Sequence, residues 1–141
     1  SSEPYVYDKA DYHYGVDYPK GLPEDKAFVH TGMFVGWLAE HHMFNADFEP
    51  DTREFMDHKI TGAKLYELWD GCLISTMLTD EGNRFAWDYF DFDRGKYLSD
   101  YQELLVRKLP SPYHVADTWE NYDIIKKRID QRYAEWKQQQ K

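Results

Sequence analysis

Several features that would assign this chain to a familiar class are scarce or missing. It has one cysteine, Cys72, among 141 residues, so no disulfide can form within the chain. That scarcity favours a reducing, cytoplasmic location, with a cysteine-poor secreted protein as the alternative. No apolar run approaches the ~20 residues of a membrane span, so we expect no membrane-spanning segment.

Positive charge is also in short supply. The chain carries 17 Lys and Arg against 26 Asp and Glu, a formal net charge of −9. A negative field of this size disfavours binding to nucleic acid or to an anionic membrane, and it speeds encounter with a basic partner. The alternative is that the charge serves solubility alone.

Aromatic residues are abundant instead. Twelve Tyr, eight Phe and five Trp occur in a chain whose length suits a single domain. Each aromatic side chain buries a large area, so these residues can supply a compact core.

Hydrophobic spacing predicts an all-α fold of five to six helices in one compact domain at 24–141, preceded by an extended aromatic arm at 1–23. A buried helix is predicted at 24–43, where Gly32 and Gly36 share one side and leave a groove for a neighbouring backbone. Further helices are predicted at 50–60, at 62–78 and from Thr79 onward. Ser99 to Gln102 and Asp117 to Glu120 have the spacing of capping boxes for the last two helices.

The chain lacks the local patterns of common chemical sites. No nucleophile elbow, P-loop or dinucleotide-binding glycine pattern occurs, and the six histidines show no metal-ligand spacing. The acidic stretch from Asp91 fails as a calcium loop, because glycine falls at the fifth position and glutamine at the twelfth. We therefore assign no catalytic residue, no metal ligand and no cofactor.

One acidic-aromatic stretch is a candidate for partner binding. Asp88, Tyr89, Asp91 and Asp93 cluster near a predicted helix end, where acids can face solvent while rings serve as anchors. Aromatic anchors concentrate binding energy at interfaces, and acidic residues steer basic partners. This pattern predicts a protein-binding patch at these four residues; the alternative is a solvated helix end with its rings turned inward.

Three segments carry a family resemblance. They are 22–38, with AFVHTGMFVGWL; 60–67, with ITGAKLYE; and 113–122, with YHVADTWENY. The chain resembles the small, uncharacterised bacterial proteins grouped as the domain of unknown function DUF7832, over about Tyr12 to Trp136. The resemblance brings no activity or catalytic residue with it.

Small acidic proteins of this kind often resemble immunity proteins, which neutralise toxins delivered between bacteria. We therefore expect a protein-binding, immunity-type inhibitor that occludes a bacterial toxin, rather than an enzyme. Two alternatives stay open: an enzyme with a carboxylate or histidine site that sequence spacing does not reveal, and a homodimeric structural or adaptor domain. The oligomeric state is left open.

Overall fold

The protein is described here by a computed structural model that covers residues 3–141; Ser1 and Ser2, which the sequence places in the N-terminal arm, lie outside the described residues. The fold is predominantly helical, as expected, with a small two-stranded sheet. The strands are β1 (Val6–Lys9) and β2 (Cys72–Ile74). The helices are α1 (Val29–Glu40), α2 (Arg53–Met56), α3 (Gly62–Leu68), α4 (Asp80–Phe85), α5 (Tyr97–Tyr101) and α6 (Trp119–Gln139).

Helix α1 forms the centre of the core. Every residue from Val29 to Ala39 is buried, which agrees with a helix that is apolar on all sides. The close approach predicted at its glycines is confirmed. A Cβ at Gly32 would lie 2.4 Å from the Cα of Ala63 on α3, and one at Gly36 would lie 2.7 Å from the Phe55 ring. The glycine groove is therefore filled within the chain.

The N-terminal arm is not simply extended. Its residues Val6–Lys9 pair antiparallel with Cys72–Ile74, and a bulge lies between Val6 and Asp8. The helix predicted at 62–78 is wrong beyond Leu68. Asp70 and Gly71 take positive φ values of 57° and 63°, a conformation that ends a helix. The apolar residues that follow therefore form β2 and complete the sheet.

Several helix boundaries differ from the sequence prediction. The segment predicted as one helix at 24–43 begins with a 3₁₀ turn, Glu24–Phe28, before α1. Likewise 50–60 divides into a 3₁₀ turn at Glu49–Thr52 and the single turn of α2. Helices α4 and α5 each continue into a π-helical turn, at Ala86–Phe90 and Gln102–Val106, where helix geometry widens.

Both predicted capping boxes are wrong, although α4 begins where the sequence predicted a helix. Thr79 caps α4 by accepting a hydrogen bond from the Gly82 amide. Ser99 lies inside α5, so it is not a cap. For α6 the cap is Thr118 rather than Asp117; its hydroxyl accepts a hydrogen bond from the Asn121 amide. No helix within residues 3–141 is long and apolar enough to cross a membrane.

Candidate functional site

A carboxylate and two imidazoles meet beside the start of α1. Asp8 comes from β1, His13 ends the 3₁₀ turn Ala10–His13 that follows the strand, and His30 lies in the first turn of α1. The Oδ1 atom of Asp8 lies 2.7 Å from Nε2 of His13. The two imidazole rings pack edge to face with centroids 4.5 Å apart. One ligand atom from each of the three residues lies within 4.8 Å of the others.

Neutral hydroxyl groups hold this cluster in place. The second carboxylate oxygen of Asp8, Oδ2, accepts hydrogen bonds from the Thr31 hydroxyl at 2.7 Å and from the Tyr66 hydroxyl at 3.0 Å. The other ring nitrogen of His13, Nδ1, lies 2.9 Å from the Tyr113 hydroxyl. Asp8 is only 1% exposed, so these partners replace the water that its carboxylate loses on folding.

His30 is the least satisfied member of the cluster. Its side chain is buried, and its Nδ1 atom has no hydrogen-bond partner among residues 3–141. Burial lowers the pKa of His30 to about 4, against the opposing effect of the Asp8 charge. The ring is therefore neutral near pH 7, with a lone pair on one nitrogen that can bind a proton or a metal ion.

Sequence spacing does not reveal this cluster. Asp8, His13 and His30 are separated by five and seventeen positions, and the fold brings them together by pairing β1 with β2 beside α1. The chemistry open to the arrangement is that of a carboxylate with two imidazoles: it can relay a proton or hold a divalent transition metal. The only local feature of the sequence that could have indicated this site is His30, a histidine at the start of an otherwise apolar helix.

The predicted acidic-aromatic stretch is divided between the core and the surface. Tyr89 and Asp91 are buried; the Tyr89 hydroxyl donates to Asp100 at 2.8 Å, and Asp91 accepts a hydrogen bond from the Tyr5 hydroxyl. Asp88 and Asp93 are exposed. Direct contact with a partner at this stretch would therefore fall to Asp88 and Asp93.

Around these two acids the surface is electrically mixed. Asp88 already accepts a hydrogen bond from the Trp136 indole at 2.8 Å. The guanidinium of Arg94 lies 3.4 Å from the ring centroid of Trp87, which is 41% exposed. Lys96 is exposed close by and, with Asp88 and Arg94, lines a shallow pocket of about 180 Å³. The two exposed acids therefore lie near two bases, of which Arg94 is itself 3.5 Å from the buried Asp91.

A second surface is far more acidic. It comprises residues 46–57 and 67–70, which we call the acidic face; its two segments are joined by a hydrogen bond of 2.9 Å from the Trp69 indole to Asp51. The acidic face carries one base, Arg53, and a net charge of −6. Its seven acids are Asp47, Glu49, Asp51, Glu54, Asp57, Glu67 and Asp70.

Apolar side chains are exposed within the acidic face. Leu68 is 64% exposed and Met56 is 41% exposed. Two shallow grooves, of about 550 and 500 Å³, lie on either side of Pro50; Met56 lines the first and Leu68 the second. The face therefore combines apolar contact area with a strongly negative rim.

Comparison with known proteins identifies the family. Residues 6–115 match the domain of unknown function DUF7832, which is 110 of the 141 residues. The chain belongs to this family. The matched region includes β1, the Asp8–His13–His30 cluster and the whole acidic face, and it ends before α6. No curated protein and no solved structure matches the chain.

Proposed function

We propose that this DUF7832 protein is a cytoplasmic, immunity-type inhibitor that binds a bacterial toxin through the acidic face and blocks it by occlusion. The observation that carries the proposal is the acidic face itself, where exposed Leu68 and Met56 lie among seven acids. Interfaces place apolar anchors inside a polar rim, and complementary charge guides the encounter. The chemistry of the face suits a partner with a basic surface.

The distribution of charge supports this surface over the stretch predicted from sequence. The acidic face holds −6 of the net −9, or −5 when Lys64, which lies 3.4 Å from Glu67, is counted with it. The stretch from Asp88 to Lys96 holds three acids and two bases, a net charge of −1. This uneven charge attracts a basic partner toward the acidic face. At physiological salt the attraction acts over a screening length of about 8–10 Å.

The two alternatives find different support. The Asp8–His13–His30 cluster is the place where an enzyme with a carboxylate or histidine site would act. A homodimer built on the glycines of α1 loses its basis, since Gly32 is covered by α3 of the same chain. The binding proposal uses an exposed surface that neither alternative requires.

The proposal is tested with the product of the neighbouring gene as the candidate toxin. Co-expression is expected to restore growth of cells that produce this toxin, and the purified proteins are expected to form a complex. Failure to restore growth, with both proteins folded, would overturn the inhibitor role.

Two matched double variants then identify the surface. Asp47→Asn with Glu54→Gln removes two acids from the acidic face, and Asp88→Asn with Asp93→Asn removes two from the stretch predicted by sequence. We expect the first pair to slow association and flatten its dependence on salt, because exposed charges act mainly on the association rate. A larger effect from the second pair would assign the interface to the Asp88 and Asp93 surface instead.

A third variant measures the apolar contribution. Leu68→Ala removes the most exposed aliphatic side chain of the acidic face. Loss of an anchor worth at least about 1 kcal/mol raises the dissociation rate about fivefold or more, with little change in association. An unchanged dissociation rate would show that Leu68 lies outside the interface.

A further inference from the structure

We propose that Asp8, His13 and His30 form a binding site for one divalent transition-metal ion, with Zn²⁺ as its simplest probe. This proposal is independent of the toxin-binding role. It starts from the donor set, because two imidazoles and one carboxylate are ligands that Zn²⁺ and related ions take in proteins.

The distances are those of a site that needs only a small adjustment. Ligand atoms of the three residues already lie within 4.8 Å of one another. Ligands about 2.0–2.2 Å from a tetrahedral metal lie about 3.3–3.6 Å apart, whereas Asp8 Oδ1 and His13 Nε2 are now 2.7 Å apart. The metal would replace the proton between these two atoms. His13 can make the required movement because its side chain is 14% exposed, at the outer edge of the cluster.

An independent observation also points to a bound species beside His30. His30 is buried, yet its Nδ1 atom has no hydrogen-bond partner among residues 3–141. Buried polar atoms are rarely left unpaired, and a bound ion or an ordered water would supply the partner. The imidazole of His30 packs edge to face against that of His13, which places it against the same cluster.

Two of the three residues, Asp8 and His13, have the outer contacts that metal ligands generally need. A histidine ligand usually bonds a polar group through its second nitrogen, and a carboxylate ligand is itself hydrogen-bonded. Here the Tyr113 hydroxyl contacts Nδ1 of His13, while Thr31 and Tyr66 donate to Oδ2 of Asp8. With three protein ligands, a fourth position would be open to water or to a small anion.

The alternative is a purely structural cluster, in which Asp8 and His13 form a buried ion pair. The two readings differ in how the protein responds to metal. After treatment with a chelator and dialysis, we expect the protein to bind one Zn²⁺ per chain by elemental analysis and calorimetric titration, and to show a higher melting temperature with Zn²⁺. Neither response is expected of a structural pair, and the absence of both would overturn the proposal.

Variants locate the site. His13→Ala should remove the Zn²⁺ binding, whereas His42→Asn, at a histidine beyond the other end of α1 whose side chain is 70% exposed, should leave it unchanged. Tyr113→Phe keeps all three ligands and should weaken binding about 10–100-fold, as expected for an outer contact. If His42→Asn lost binding as fully as His13→Ala, or if His13→Ala still bound one ion, the assignment would be wrong.

A spectroscopic probe covers the case in which His13→Ala does not fold. Co²⁺ added to the wild-type protein should give visible absorption bands of a low-coordinate site with nitrogen and oxygen ligands, and Tyr113→Phe should require more Co²⁺ to reach them. Bands of fully hydrated Co²⁺ alone would contradict the proposal.

Discussion

Replacement of Gly32 by alanine tests the contact on which the core is built. An added Cβ would lie 2.4 Å from the Ala63 Cα and 2.7 Å from its amide nitrogen. Both atoms belong to the backbone, so no side-chain rotation relieves the overlap and α1 must move away from α3. Overpacking costs about 1–3 kcal/mol, and a backbone clash belongs at the upper end. The higher helix propensity of alanine offsets about 1 kcal/mol of this cost, so the free energy of unfolding should fall by about 2 kcal/mol.

Thermal and urea unfolding followed by circular dichroism would measure this loss. At about 3–4 °C per kcal/mol for a chain of this size, the melting temperature should fall by about 6–8 °C. Gly62→Ala should act in the same direction, because its Cβ would lie 2.1 Å from the Gly32 carbonyl oxygen.

Gly15→Ala is the matched control, since a Cβ there has no heavy atom within 4 Å among the described neighbours. This change should be neutral or stabilising by about 0.4–1 kcal/mol. The reasoning fails if Gly32→Ala and Gly62→Ala both unfold within about 0.5 kcal/mol of the wild type, the range of ordinary surface changes.

Two further predictions concern an ion-pair cluster and a helix cap. Burial alone would raise the pKa of Asp100, but hydrogen bonds from Arg132 and Arg128 lower it. Because its pKa is lower in the folded than in the unfolded state, Asp100 stabilises the fold above its unfolded-state pKa and loses that effect as the pH falls. Asp100→Asn should therefore lower the free energy of unfolding by about 3–5 kcal/mol at pH 7 and flatten the decline in stability below pH 4. An unchanged acid-unfolding curve would contradict this. Thr118→Ala should lower the free energy of urea unfolding by about 1 kcal/mol, because the Asn121 amide loses its hydrogen-bond acceptor. Thr118→Ser keeps a hydroxyl and should retain most of that stability. Equal losses in both variants would argue against capping.

Local patterns predicted the parts of the fold that local forces determine. The start of α4 at Thr79 was predictable, because a hydroxyl directly before the acidic residues Asp80 and Glu81 is a short-range signal for a helix start. The close packing at Gly32 was also predictable, since glycine inside an apolar helix is unfavourable unless another backbone approaches. In contrast, β2 was not predicted, because its apolar residues continue the helical period of α3. The stop signal was local: Asp70 and Gly71 form a turn dipeptide, and both take positive φ values in the structure.

The candidate sites could not be predicted from spacing for a related reason. Asp8 lies on β1 and reaches the first turn of α1 through the Thr31 hydroxyl, and no short-range rule connects it with His30. Asp91 appeared in sequence to be a surface acid, but Tyr5 and Arg94 satisfy its carboxylate in a buried position. Whether an acid is exposed thus depends on a distant donor.

The combination of many tyrosines with many acids has a structural explanation. Within residues 3–141, five carboxylates accept hydrogen bonds from tyrosine hydroxyls that the fold brings close. The pairs are Asp8 with Tyr66, Glu40 with Tyr122, Glu81 with Tyr133, Asp91 with Tyr5, and Asp100 with Tyr89. Three indoles act in the same way, from Trp37 to Asp130, Trp69 to Asp51 and Trp136 to Asp88.

These neutral donors act beside bases rather than in place of them. Each of the five tyrosine-bound carboxylates also lies within 3.5 Å of a basic side chain: His13 at Asp8, Lys126 at Glu40, Lys137 at Glu81, Arg94 at Asp91, and Arg128 and Arg132 at Asp100. The tyrosine hydroxyl therefore adds a hydrogen bond to a carboxylate that already has a base close by. None of these five carboxylates belongs to the acidic face, whose seven acids stand against one base of its own, Arg53. The charge that a basic partner would meet therefore lies at the acidic face rather than at these paired carboxylates.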